Sequence, residues 1–200
     1  MKALCCAGLV LAGVFVLAAA QTDQFGQFHF RTGAGFHSAM PLGYTVIKLK
    51  PSGAMVSVLG LVECPEIEGA QQLSEGLRAT VVSPDGVPLK NFPRIVSFRI
   101  TTSLRKTVLD PPELSVDTEE TPQQFLLQMG FRLKIYNGLH VREVQPTSVS
   151  NIGVPANIAY DERVFRVTFD VGDAPVTERL ILEALSPQGE TFTHFAFKLL

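Results

Sequence analysis

Four histidines, His29, His37, His140 and His194, are the side chains best suited to metal or proton chemistry, and their spacing serves neither. None stands four residues from another as on the helix of a metal clasp, so each reads as a satisfied or solvated histidine. His29 and His194 fall in terminal strands, where a zinc site between them is conceivable but is not predicted. Nucleophilic catalysis needs a serine or cysteine held beside a base, and the chain has no Gly-x-Ser-x-Gly turn in a strand, elbow, helix context. Cys64 lies between Glu63 and Glu66, whose charge disfavours a thiolate. Three acidic groups offer the oxygen ligands calcium wants: Glu63, Glu66 and Glu68; Asp117, Glu119 and Glu120; and Asp161, Glu162, Asp170 and Asp173. None follows the EF-hand order, and all read as solvated acids. The last group is the one to test, because it brackets a single strand. The expectation is no enzyme, no cofactor and no metal. The remaining candidate is an interaction surface of basic residues, Arg132, Lys134, His140 and Arg142, able to hold an acidic partner or a polyanion.

Those four residues lie in the most legible stretch of the chain, Phe125 to Gln145. Phe125, Leu127, Met129, Phe131, Leu133 and Ile135 are apolar with Gln128, Arg132 and Lys134 between them, the period-2 pattern of a half-buried strand. A hairpin follows. A two-residue Asn137-Gly138 loop would set Ile135 opposite His140 and Leu133 opposite Arg142, mixing charge into the apolar face. A three-residue loop, Tyr136-Asn137-Gly138, pairs Ile135 with Leu139 and Leu133 with Val141, with Gly138 free to turn left-handed. The second register is preferred, and it gathers Arg132, Lys134, His140 and Arg142 on the outer face.

Other strands are expected on either side. Residues 24–31 place Phe28 and Phe30 on one side of a first strand. Tyr44 to Lys50 and Ala54 to Glu63 flank the turn Pro51-Ser52-Gly53, and the return strand is apolar on both faces, so both need cover. Pro65 to Leu77 has the proline start and early acids of a short covering helix. Leu77 to Val82 alternates, Ser83-Pro84-Asp85-Gly86 reads as a turn, and Arg94 to Thr102 as its return strand. Val164 to Val171, Thr177 to Leu185 and Thr191 to Leu199 complete the set, the last two joined by Ser186-Pro187-Gln188-Gly189. Leu180, Ile181, Leu182 and Leu185 again put apolar residues on both faces, a lean towards binding.

Lys2 and the apolar run from Ala3 to Ala20 have the form of a secretory signal peptide, with cleavage expected after Ala20. Cys5 and Cys6 leave with it, and Cys64 stays alone, without an intramolecular disulfide partner. Burial suits an unpaired cysteine better than exposure. Without Lys2 the chain carries 16 basic and 19 acidic residues, a net of −3. Such mild acidity leaves no footprint for nucleic acid. No later segment is apolar enough to span a bilayer, so the mature chain is expected to have no transmembrane segment. There is also no Asn-x-Ser or Asn-x-Thr acceptor for an N-linked glycan.

The organisation expected is therefore a signal peptide at 1–20, a β-sandwich half or domain at 21–105, an acidic Pro-rich linker at 106–122 and a second half or domain at 123–200. The two Ser-Pro-x-Gly turns sit at similar places in the two halves. This allows two small sandwiches of roughly five strands, or one of about ten. Either is an all-β, antiparallel β-sandwich, which resembles immunoglobulin-like and fibronectin-type domains in strand count and turn spacing only. The chain has no tryptophan and no cysteine pair to join two sheets, so antibody-type domains are not supported. The function expected is that of a secreted, non-catalytic module, in the periplasm or extracellular space, acting in protein interaction or structure. Its partner is another protein or a second copy of itself. The alternative is a carrier of a small apolar ligand between phenylalanine-lined sheets.

Overall fold

Alternating apolar and polar residues form strands wherever a neighbour can take up the backbone hydrogen bonds, and here the neighbours come from distant parts of the chain. The computed structural model describes residues 29–32, 35–37, 39–63, 80–83, 85–105, 114–152 and 162–197. The leader expected at 1–20, Cys64, Asp161, residues 24–28 and the helix expected from Pro65 lie outside the described residues.

The fold is all-β. The strands are β1 (His29–Thr32), β2 (Gly35–His37), β3 (Ala39–Lys50), β4 (Met55–Glu63), β5 (Thr80–Val82), β6 (Ile95–Arg105), β7 (Leu114–Asp117), β8 (Gly130–Asn137), β9 (His140–Val144), β10 (Ser148–Asn151), β11 (Glu162–Asp170), β12 (Arg179–Leu185) and β13 (Thr191–Phe197). They form a six-stranded sheet in the order β10-β11-β6-β4-β3-β7, a four-stranded sheet β13-β12-β8-β9, and a small sheet β2-β1-β5. Every pairing is antiparallel except β3 with β7. Among the described residues no helix is long and apolar enough to cross a membrane.

The inner sides of the two larger sheets meet in one hydrophobic cluster that includes Val58, Phe98, Val167, Leu133, Leu182 and Phe195. Phe131 of β8 meets Phe165 of β11 across the two sheets with ring centroids 5.4 Å apart, and Phe98 of β6 meets Phe169 of β11 edge-on at 5.7 Å within the six-stranded sheet. Phe195 of β13 lies over β3 and β4, where a Cβ on Gly43 would stand 3.1 Å from its ring and one on Gly60 3.0 Å. These glycines let the sheets approach at that point. On the strands apolar on both sides, Leu61 and Ile181, which face away from the cluster, are buried, while Met55, Leu59 and Leu185 are half-buried.

Four expectations differ from the structure. The strand expected from Phe125 begins only at Gly130; Pro122–Leu127 is instead a short helix, α1. Thr121 caps it, with the Gln124 amide donating to Thr121 Oγ1 and Gln124 Oε1 accepting from the Thr121 amide, and Pro122 fills the first turn. The hairpin register differs too. Asn137 pairs with His140, Tyr136 with Val141 and Ile135 with Arg142, so the loop is the two residues Gly138 and Leu139. Gly138 has φ +57° and no non-glycine residue has positive φ among those described, the pattern of a type II′ turn with glycine first. Arg94 to Thr102 is strand but not the return of β5: β5 joins β1, while β6 joins β4 and β11. The turn between them does form, with the Gly86 amide donating to the Ser83 carbonyl at 2.8 Å. Finally, residues 106–122, expected as a linker, contribute β7.

Candidate interaction site at the hairpin end

β9 is an edge strand with β8 on one side and, among the described residues, no strand on the other. In an antiparallel ladder, hydrogen-bonded and non-bonded pairs alternate. Asn137 and His140 close the turn as its first and fourth residues and form a bonded pair. Val141 and Glu143 therefore turn their amide and carbonyl groups outward, away from β8. Residues His140 to Glu143 are all exposed, and Leu139 at the tip is 99% exposed.

Beneath this edge lies an open groove of about 330 Å³ walled by Ile135, His140, Val141 and Arg142 of the hairpin and by Asp173, Pro175 and Glu178 of the β11–β12 connection. A neighbouring depression of about 420 Å³ continues it past Tyr136, Gly138, Thr177 and Arg179, sharing Asn137 and Glu178. Arg179 stands over the Tyr136 ring, 5.9 Å from its centroid. Charges of both signs thus line a trough that runs beside a free strand edge. Among the described residues no three His, Cys, Asp or Glu side chains converge as metal ligands.

Comparison of the chain with protein-family models, with curated proteins and with solved structures gave no match.

The four basic residues separate into two groups. Arg132 and Lys134 face outward on β8 and converge on Glu183 of the neighbouring β12, which is only 7% exposed. Arg132 donates from Nε to Glu183 Oε2 at 2.7 Å and Lys134 from Nζ to Oε1 at 2.8 Å, while the exposed Glu143 lies 3.7 Å from both cations. Burial pushes the Glu183 carboxyl up, but the Lys134 and Arg132 hydrogen bonds prevail and hold it below its ordinary range. The hydrogen bond to Glu183 in turn raises Lys134. His140 and Arg142 alternate to the other face and line the groove, where Arg142 Nη2 donates to the Val171 carbonyl at 2.6 Å.

Glu183 was invisible as a partner because its strand is fifty residues away and its neighbours, Leu182 and Ala184, are core residues. Only its place as the single charge in the run Leu180 to Leu185 marks it. The acids bracketing β11 lie far apart: Glu162 pairs with Ser103 and Asp170 with Ile95, eight steps along the strand or roughly 27 Å. Asp170 accepts from Arg94 Nε at 2.8 Å, a bond that lowers its carboxyl, and Asp173 belongs to the groove. His29 sits opposite Val82 in the small sheet, and His194 opposite Glu183 in the four-stranded one.

Proposed function

We propose that the protein is a secreted, non-catalytic β-sandwich, with both halves of the chain in one sandwich, that binds another protein by accepting a strand on the free edge of β9. The carrying observation is that edge: Val141 and Glu143 present backbone groups with no partner among the described residues, directly above a groove lined by side chains of both signs. In strand addition the main-chain bonds supply affinity and side-chain pockets alongside supply selectivity. The charges on Arg142 and Glu143 keep so exposed an edge from pairing indiscriminately. A single sandwich is supported by the nine-residue pairing of β6 with β11, which joins the halves in one sheet. Export is supported by the leader, and an intact mass beginning at Gln21 is the expected product of secretion. The carrier alternative needs room between the sheets, where the phenylalanine contacts and the tight seat of Phe195 on Gly43 and Gly60 weigh against it.

Val141→Pro removes one outward amide while leaving the inward-facing bonds of His140 and Arg142 to β8 in place, since proline is tolerated on the free side of an edge strand. Wild-type protein immobilised and exposed to its own secreted fraction is expected to retain a protein that Val141→Pro does not, with both melting at similar temperatures. Identical proteins retained by the two forms would refute the edge as the binding element.

A further inference from the structure

The outer face of the six-stranded sheet holds a second buried acid with a different surplus. Glu63, at the end of β4, is 5% exposed, and its two oxygens are taken by arginines from the next two strands. Arg99 Nε lies 2.8 Å from Oε1 and Arg166 Nε 3.1 Å from Oε2. Arg99 and Arg166 stand directly opposite each other on β6 and β11, a placement in which like charges repel. One carboxylate between them leaves the group with a net positive charge.

Both guanidinium groups touch Glu63 through Nε, their innermost nitrogen. Each side chain is 39% exposed, and among the described residues the terminal nitrogens of both have no hydrogen-bond partner. Arg99 Nε is itself buried and makes no directed hydrogen bond despite its closeness to Glu63. Arg105 adds a third cation to this face, its Nε donating to Ser57 Oγ at 3.0 Å, while the two acids of β11 sit at its ends, Glu162 opposite Ser103 and Asp170 opposite Ile95, where Asp170 is held by Arg94. The nearby hydroxyls of Ser97 and Thr168 are engaged with each other at 3.1 Å. What remains is a pair of adjacent forks of N–H donors, held by a buried brace and with no partner at their outer ends among the described residues.

We propose that Arg99 and Arg166, braced by Glu63, bind a tetrahedral oxyanion, a phosphate or sulfate group either free or carried on a larger molecule. Guanidinium forks match such groups with two charge-assisted bonds each, and a brace that fixes the side chains beforehand spares the entropy of ordering them on binding. The site lies on the sheet opposite the β9 edge and does not depend on the reading given to that edge.

The test is titration of the purified full chain, at constant ionic strength, with inorganic phosphate, inorganic sulfate and a sulfated disaccharide, read by calorimetry and by the arginine side-chain NMR signals. The expected result is a saturable shift of the Arg99 and Arg166 signals by phosphate or sulfate, unchanged in Lys90→Gln and weakened about tenfold or more in Arg166→Gln. Arg99→Lys, which keeps the charge but loses the fork, should weaken binding with the melting temperature held, so that loss of fold is not mistaken for loss of the site. Tighter binding of the disaccharide than of inorganic sulfate would assign the anion to a larger molecule, and equal binding to the free ion. No saturable shift with any of the three, or equal affinity in Arg166→Gln, would overturn the proposal.

Discussion

Phe195→Ala is expected to destabilise the protein by about 3–5 kcal/mol, the range for emptying a fully packed phenylalanine site. Phe195 is buried on β13, yet its ring rests on the backbone of Gly43 and Gly60 in the opposite sheet. Its loss opens a cavity where the ring sits against the facing strands, and the paired strands on both sides limit collapse. The same contact predicts a coupling. Gly60→Ala alone places a methyl 3.0 Å from Phe195 Cδ2 and 3.2 Å from Cγ, against a ring whose neighbours leave it little freedom. In the double variant Gly60→Ala with Phe195→Leu, the smaller side chain yields that space. The combined loss measured by urea unfolding is expected to fall short of the sum of the single losses by about 0.5 kcal/mol or more. Strict additivity would mean that the two positions are not in contact.

Glu183→Leu is expected to cost about 2–3 kcal/mol. Removing the acid strands Arg132 and Lys134, which are only 23% and 21% exposed, beside each other with Glu143 as a distant partner. A fully buried pair broken in this way loses about 3–5 kcal/mol, and partial solvation of these cations reduces the figure. Replacing the set together, by Arg132→Met, Lys134→Met and Glu183→Leu, is expected to recover most of the loss, because no charge is then left unpaired on the sheet. The cluster also has a pH signature. The folded-state carboxyl of Glu183 lies below its ordinary value of 4.5, so its contribution is fully present above that value and is lost as pH falls through the lowered one. Arg132, Lys134, Glu143 and His194 are the charged or titratable groups around it. Wild type should therefore lose melting temperature more steeply than the triple variant below about pH 4.5. Asp170, lowered through Arg94, contributes in the same direction in both proteins and cancels in the comparison. Parallel pH profiles would show that Glu183 is not held as described.

The strands themselves were legible where alternation was clean, as in β11, where Phe165, Val167 and Phe169 face the core. Their partners are not, because β6 with β11 and β3 with β7 join residues far apart in the chain, from Ser103 with Glu162 to Ile95 with Asp170 and Ile47 with Leu114, and no local pattern encodes that choice. The helix α1 escaped notice because Phe125, Leu127 and Met129 continue the period of the strand that follows. The Thr121-Pro122-Gln123-Gln124 run was the signal that distinguished them, since it combines a capping residue, a first-turn proline and a glutamine at the reciprocal position. The hairpin register expected from the sequence keeps charge off the side of Ile135, and the observed one does not. Arg142 does share it, because β9 is an edge strand and a long side chain there reaches past the apolar face to the Val171 carbonyl. The observed hairpin register moves His140 and Arg142 to the wall of the groove, while Arg132 and Lys134 keep the outer face and meet Glu183 through the pairing of β8 with β12.

Amide hydrogen exchange along β9, measured on the protein alone and with its captured partner, tests the proposed edge most directly. The account predicts that Val141 and Glu143, whose amides face outward, exchange rapidly in the free protein and become protected in the complex, while His140 and Arg142, bonded to β8, change little. Unchanged exchange at Val141 and Glu143 in a saturated complex would contradict strand addition at this edge.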